Sequence, residues 1–349
     1  MAQGNASHPV DKASTNRFYT LDAMRGIAAF AVVFYHIGQP NPLGYLAVDL
    51  FFILSGFVLC HAYAGHLAKG QLSIAAFMRA RFIRLYPLFA AGVVVGLLIR
   101  GGNPAAFLFV PDWNRAILYP MNTALWSVAY EMVASIGFAL FFRSGARGWF
   151  AFWLFSGLVW GWTIWNAPSA SVGMHWDGLV AGMARMTFAF TTGIALHWLF
   201  KRIGRQVKSN AGWLVCLAPF TLTFIADLPL LPALMIILPL IVLAGALVEV
   251  PQTRIATISG DLSYPVYAIH LPIVAMFGWA SVPFVVMLAW VLDRFYDRPV
   301  RAWLSANLRT VMRVNPPLPI SHRPRSAPAG MQGRGAPGRR DACPRSAPD

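Results

Sequence analysis

Charge is scarce in this chain for its length. Only 12% of its 349 residues are Asp, Glu, Lys or Arg, and just 13 are acidic, where a water-soluble domain carries about 25% charged residues. Together with 57% hydrophobic residues, 13 Trp and a mean hydropathy of +0.56, this excludes a soluble globular domain and indicates a polytopic membrane protein. Cysteine is nearly as scarce. Cys60, Cys216 and Cys343 are scattered, two of them in apolar segments, so neither a disulfide framework nor a zinc or other metal site is expected. The first twenty residues are polar and contain no apolar stretch followed by a cleavage site, so no removed signal peptide is expected. Internal repeats and matched pairs of interrupted helices are also missing, which speaks against a secondary transporter. The net charge of +15 is not gathered into a basic domain with exposed aromatics. It lies in short clusters between apolar runs, as topology determinants do. Nucleic acid is thereby excluded as a partner, and membrane lipids are expected ones.

Stretches long and apolar enough to cross a bilayer fall at about 21–39, 46–64, 85–100, 123–142, 148–166, 182–200, 211–227, 232–250, 263–280 and 282–297. The fold class read from them is all-α: a polytopic integral membrane helical bundle of about ten transmembrane helices. The even-numbered gaps hold eleven Lys or Arg (69, 79, 81, 84, 143, 147, 201, 202, 205, 208 and 254), whereas the opposite gaps hold Arg100 and Arg115. The positive-inside rule then places both termini in the cytoplasm. Residues 1–20 form a cytoplasmic segment and 21–298 the transmembrane domain. In residues 299–313, Leu304, Leu308 and Val311 recur at helical spacing among Arg301, Arg309 and Arg313, which describes an amphipathic interfacial helix. Residues 314–349, rich in Pro, Gly, Ser, Ala and Arg, are expected to form a disordered basic tail that either touches anionic lipid or is simply solvated.

Against this apolar background the ionisable residues stand out. Arg25 and His36 both lie in the first span, and eleven residues on a helix return to within roughly 20° of the same face about 16 Å further along. Charged groups inside a span mark functional sites by default, although Arg25 snorkelling and His36 packing would look the same. The proposed topology brings Asp49 and Glu131 to about the depth of His36. A carboxylate beside an imidazole fixes its tautomer and raises its basicity, as a general base requires; helix-gluing polar contacts are the alternative. Arg81 and Arg84 share a helical face, and arginine forks suit phosphate oxygens, though orientation alone also explains them. In the ninth span Tyr264, Tyr267 and His270 suit a polar lining or a packing role. His61 and His66 fall at the cytoplasmic end of the second span. His175 and Asp177 lie among Trp165, Asn166 and Trp176 in an outer loop, where they suit either sugar stacking or an aromatic belt. Arg185 and Trp198 in the sixth span carry no assignment.

These segments resemble the membrane-bound acyltransferase 3 family, whose members O-acylate bacterial surface polysaccharides and related acceptors. The resemblance runs over about residues 17–303 through LDAMRGIAAFAVVFYH, VDLFFILSGF, RFIRLYP, WSVAYE, SYPVYAIH and FYDRPVR. It implies a catalytic His36 with Arg25 as its partner, an Arg-x2-Arg pair at Arg81 and Arg84, and the fourth-helix glutamate at Glu131. Trp126 and Ser127 of the same motif join Tyr267 and His270 as candidate pocket residues. Three departures are visible: Ala47 where many members have Gly, Asp297-Arg298-Pro299 in place of Glu-Arg-Pro, and a shortened connection between spans nine and ten. No esterase-like domain follows, so transfer is expected to be completed alone or with a separate partner.

The expected function is transfer of an acyl group, acetyl in the simplest case, from cytoplasmic acyl-CoA to a hydroxyl of a glycan, lipid-linked saccharide or other acceptor at the bacterial inner membrane. Acyl-CoA is then a donor substrate, and no tightly bound cofactor is expected. Arg25, Arg81 and Arg84 would hold the CoA phosphates. His36, oriented by Asp49 or Glu131, would act as base or as transient acyl carrier. A transporter or flippase with His36 and Glu131 as a proton relay, or an inactive scaffold, are the competing readings.

Overall fold

A computed structural model describes residues 17–38, 42–166, 171–225 and 228–314. The tail expected beyond residue 314, Cys343 and most of the N-terminal segment lie outside the described residues. The chain divides into Met1–Leu308, which holds the helix bundle, and Arg309–Asp349, of which only the helical backbone to Val314 is described. The described residues are almost wholly helical. In chain order the helices are α1 (Tyr19–Ile37), α2 (Leu46–Ala68), α3 (Ile74–Arg100), α4 (Leu125–Phe141), α5 (Gly145–Asn166), α6 (Leu179–Ile203), α7 (Ala211–Leu222), α8 (Leu230–Leu247), α9 (Thr253–Phe277), α10 (Ser281–Leu292) and α11 (Arg298–Val314). A helix stands at each of the ten apolar stretches. Six helical stretches are long and apolar enough to cross a membrane, the last running from Thr253 to Asn307 through α9, α10 and most of α11. The protein is thus an all-α integral membrane protein.

One boundary differs informatively from the sequence reading. α3 begins at Ile74 rather than near residue 85, because the Ser73 hydroxyl caps it by accepting from the Ala76 N–H at 3.1 Å. Arg81 and Arg84 are therefore helical residues two to three turns inside α3, not loop residues ahead of it. The short connection between α9 and α10 closes as a tight reversal. Gly278 adopts φ 53° and ψ −129°, a conformation that only glycine takes without strain, and Val285 and Ala289 of α10 return against Val266 and Ile269 of α9.

Helix contacts without a water-driven hydrophobic effect depend on close backbone approach, which small residues permit. At the α2–α6 contact, a Cβ on Gly56 would fall 1.9 Å from the Phe190 carbonyl oxygen, and one on Gly193 would fall 2.0 Å from that of Ile53. Each glycine thus admits the other helix's main chain. Between α1 and α9, Ala29 and Val33 share a buried apolar cluster with Val266, Ile269 and Ile273, and Ser259 Oγ donates across to the Ala23 carbonyl at 3.3 Å.

Two polar knots fix the bundle's ends. At the end carrying Arg17 and Arg25, Val207–Lys208 and Val248–Glu249 form a two-residue parallel pair. Buried Glu249 accepts from the Tyr19 N–H and, at 2.8 Å, from the Gln206 amide. Thr20 Oγ donates to the Val248 carbonyl at 2.6 Å. Burial pushes the Glu249 carboxyl above its ordinary range, against the opposing pull of the Tyr19 and Thr20 N–H groups. At the other end the α3–α4 and α5–α6 loops are stitched by Leu118 N–H to Met174 O and Trp176 N–H to Ala116 O. Buried Asn122 donates to Gly92 O at 3.1 Å and Ala268 O at 2.8 Å, joining α3 to α9. The second bond has a definite cause. Pro272 has no N–H to give the Ala268 carbonyl four residues back, so the α9 backbone needs an outside donor there.

Candidate active site

α1 carries Arg25 and His36 on the face turned towards the bundle, but the structure gives them different surroundings. Arg25 opens on a cleft whose lining includes Arg81, Arg84, Ser127, Glu131 and Tyr267. With Tyr264, which also lines it, seven of the residues singled out in the sequence therefore meet in one place. A second recess towards the Arg17 end shares Arg25, Val58 and Arg84 with the first and adds Arg17, Asp22, His61 and Asp261. Arg25 and Arg84 thus stand at the neck between the two.

The arginines are not equivalent. Arg81 is buried and committed: its Nη2 donates to Glu131 Oε1 at 2.6 Å and its Nε to Ser135 Oγ at 3.1 Å, while Ser55 Oγ donates to the same Glu131 oxygen at 2.8 Å. Arg25 spends one arm on Asp22, at 2.6 Å, and its buried Nε has no partner. Arg84 pairs with no carboxylate among the described residues; its guanidinium lies 5.8 Å from the ring centre of Tyr264, whose hydroxyl donates to the Leu85 carbonyl at 2.6 Å. Arg25 and Arg84 are therefore less committed than Arg81, whose Nε and Nη2 are both engaged. Deeper in, Ser127 Oγ and the Tyr267 hydroxyl lie 2.6 Å apart, and the Phe51 ring stands edge-on to Tyr267 at 5.4 Å.

His36 lies past that inner wall. It is exposed, whereas its neighbour His270 on α9 is fully buried. His36 Nδ1 is 2.9 Å from the Val32 carbonyl oxygen and 3.2 Å from His270 Nε2; His270 Nδ1 is 2.8 Å from the Tyr267 carbonyl oxygen. Tyr267 thus belongs to both places, its hydroxyl to the cleft and its carbonyl to the histidine pair.

Neither carboxylate expected beside His36 is there. Asp49 is buried against Arg185, which clamps it through Nε at 2.9 Å and Nη2 at 2.6 Å and also donates to Tyr45 O and Val172 O. The Arg185 guanidinium lies between the rings of Trp126 and Trp160, 5.8 Å from each. Trp126 accordingly belongs to this clamp and is absent from the cleft lining. Glu131 is held by Arg81 and Ser55. Equal depth in the bundle did not mean contact, because each carboxylate found a cation on its nearest helix. Glu131 and His36 hold separate partners, so the proton relay of the transporter reading lacks a direct link. The residues that sequence reasoning missed are Arg185 as the partner of Asp49, Ser55 and Ser135 around the Arg81–Glu131 pair, and the contact between His270 and His36. A signal existed for the first: a carboxylate in an apolar helix demands a cation, and Arg185 is an arginine set among apolar residues in another span.

Acyltransfer fits this arrangement of arginines around the Arg25 end of α1 and an imidazole at the other. Residues 18–292 match the acyltransferase domain family, acyltransferase 3, and the chain belongs to that family. Among individual proteins, it is similar to Protein 2 in the picA locus of Rhizobium radiobacter, with 47% identity over 23% of this chain and 44% of that protein. It is also similar to the acyltransferase MdmB of Streptomyces mycarofaciens, with 30% identity over 36% of this chain and 40% of the relative. For the peptidoglycan O-acetyltransferase OatA of Listeria monocytogenes the identity is 28%, over 32% of this chain and 22% of the relative. The chain thus spans less than half the length of each of these relatives. No solved structure matches it.

Proposed function

We propose that this protein is a membrane O-acyltransferase that moves an acyl group, acetyl in the simplest case, from acyl-CoA to a hydroxyl of a glycan or glycolipid. The observation that carries the reading is the cleft at the Arg25 end of α1, where Arg25 and Arg84 are less committed than Arg81 and guanidinium groups suit a pyrophosphate. A donor held there extends its pantetheine arm along α1 towards His36, a reach of about 16 Å on a helix. His36 takes the proton of the acceptor hydroxyl. The oxygen attacks the thioester carbonyl, the C–O bond forms, the C–S bond breaks, and the CoA thiolate leaves with the proton that His36 held. A covalent acyl-histidine at the same residue is the variant of this scheme. The similarity to a named peptidoglycan O-acetyltransferase supports a glycan acceptor.

In the proposed orientation all ten helices α1–α10 cross the bacterial inner membrane, both termini are cytoplasmic, α11 lies on the cytoplasmic surface, and the donor enters at the Arg25 end. The charge asymmetry of the connecting segments supports this. The test is thioester turnover with acetyl-CoA by the purified protein in detergent, read as free thiol. Turnover is expected for the wild type and its loss for His36→Ala and Arg25→Ala; wild-type turnover in both variants sinks the mechanism.

A further inference from the structure

We propose that His270 is a positioning residue for His36, a neutral imidazole filling the place that a carboxylate holds in a histidine–carboxylate pair. The inference rests on the acyltransferase reading of His36. It follows from which atoms are able only to accept. The Tyr267 carbonyl has no hydrogen to give, so the 2.8 Å contact requires the proton of His270 on Nδ1 and leaves its Nε2 as a bare lone pair. The Val32 carbonyl imposes the same on His36, whose proton must sit on Nδ1. That Nδ1–H, shared with the Val32 carbonyl, then meets the lone pair of His270 Nε2 at 3.2 Å, donor to acceptor. Two backbone carbonyls on two helices therefore set both tautomers. The outcome is a His36 whose only free nitrogen is Nε2, with its lone pair available.

The anchoring is built into α9. His270 is fully buried and makes the nearest cross-helix polar contact to His36 among the described residues, while Asp49 is committed to Arg185 and Glu131 to Arg81. Tyr35 is another ring neighbour, 5.1 Å from the His36 ring, and it in turn stands 5.9 Å from the ring of Tyr45. When His36 Nε2 takes the acceptor's proton, the imidazolium keeps its Nδ1–H bond to His270 Nε2, which holds the ring in place and accepts part of the new charge. The proton returns from Nε2 to the leaving thiolate, and His270 ends as it began.

The test uses the side-chain geometry of two amides. Glutamine carries a polar atom where histidine has Nε2, and asparagine carries one where it has Nδ1. Acetyl-CoA turnover is measured for His270→Gln, His270→Asn, His270→Leu and His36→Ala in the purified full chain, with the thermal midpoint recorded for each. His270→Leu and His270→Asn are expected to lower kcat by about tenfold or more, the scale on which orienting partners of functional imidazoles act, with KM for acetyl-CoA unchanged. His270→Gln is expected to stay within a few-fold of the wild type. Equal impairment of the glutamine and asparagine variants, or wild-type kcat in His270→Leu, overturns the proposal. Full turnover in His36→Ala instead overturns the acyltransferase reading beneath it.

Discussion

Breaking the Asp49–Arg185 clamp should cost more than removing it. Arg185 is only 1% exposed and Asp49 2%, and the pair is joined by two parallel bonds of 2.9 and 2.6 Å. Asp49→Leu leaves a buried guanidinium with two carbonyl partners and no counter-charge. Arg185→Met leaves a buried carboxylate and takes the donor from the Val172 carbonyl as well, while the Tyr45 carbonyl keeps the Val48 N–H at 3.1 Å. Loss of one member of such a pair costs about 3–5 kcal/mol, because the survivor is an uncompensated buried charge. In the double variant both desolvation penalties vanish, and the remaining cost is the Val172 carbonyl, about 1–3 kcal/mol where water does not reach it. A double-mutant cycle on the detergent-solubilised protein, followed by thermal or chemical unfolding, should therefore give two strongly destabilised singles and a double variant far less destabilised than their sum. The same samples decide whether Asp49 does chemistry. If the clamp is architectural, the double variant keeps acetyl-CoA turnover once folded. Additive losses, or an undisturbed Asp49→Leu, would refute the reasoning; a stable but inactive double variant would return Asp49 to the catalytic machinery.

The arginines at the cleft should separate by partner. Arg84→Gln is expected to raise KM for acyl-CoA about tenfold, the value of one charge-assisted hydrogen bond, without lowering the thermal midpoint, whereas Arg81→Gln mainly destabilises because it strands Glu131; initial rates and unfolding curves distinguish the two. Gly193→Val should exceed the roughly 1–3 kcal/mol of ordinary overpacking, since its Cβ meets the Ile53 carbonyl at 2.0 Å rather than a side chain that can move, and size-exclusion chromatography in detergent should show aggregated protein. Glu249 sets a pH dependence of stability. Its folded carboxyl titrates above its ordinary 4.5, so the folded state holds the proton more tightly, and its contribution is complete below that value and lost as pH rises through the raised one. The midpoint of the wild type should fall over that window, and Glu249→Gln, which keeps a carbonyl for the Tyr19 N–H, should flatten the fall; an unchanged slope would show that Glu249 does not titrate there.

Much of the helix order was legible because apolar length is a one-dimensional property. Arg25 and His36 could be placed on one face because their spacing lies within a single helix, and Arg81 and Arg84 for the same reason. What was not legible is azimuth. The proposed topology set Asp49, Glu131 and His36 at one depth, yet depth is one coordinate of three, and Asp49 and its partner Arg185 are 136 residues apart. Nothing local to α1 or α9 announces that they pack together, so the contact of His270 with His36 appears only in three dimensions. The start of α3 was missed for a different reason. Two arginines near a helix terminus resemble a loop until Glu131 is known to neutralise one of them.

Tyr267 and Phe51 stand edge-on to each other, 5.4 Å apart. The cleft is lined by both rings and its lining stops short of His36 and His270. In the proposed orientation a water-soluble donor arrives from one compartment and an acceptor from the other, so a continuous opening between them would leak protons and small solutes. Under that proposal the edge-on pair of rings, one of them tied by its hydroxyl to Ser127, would serve as the plug, so that an acyl group could pass without an open channel.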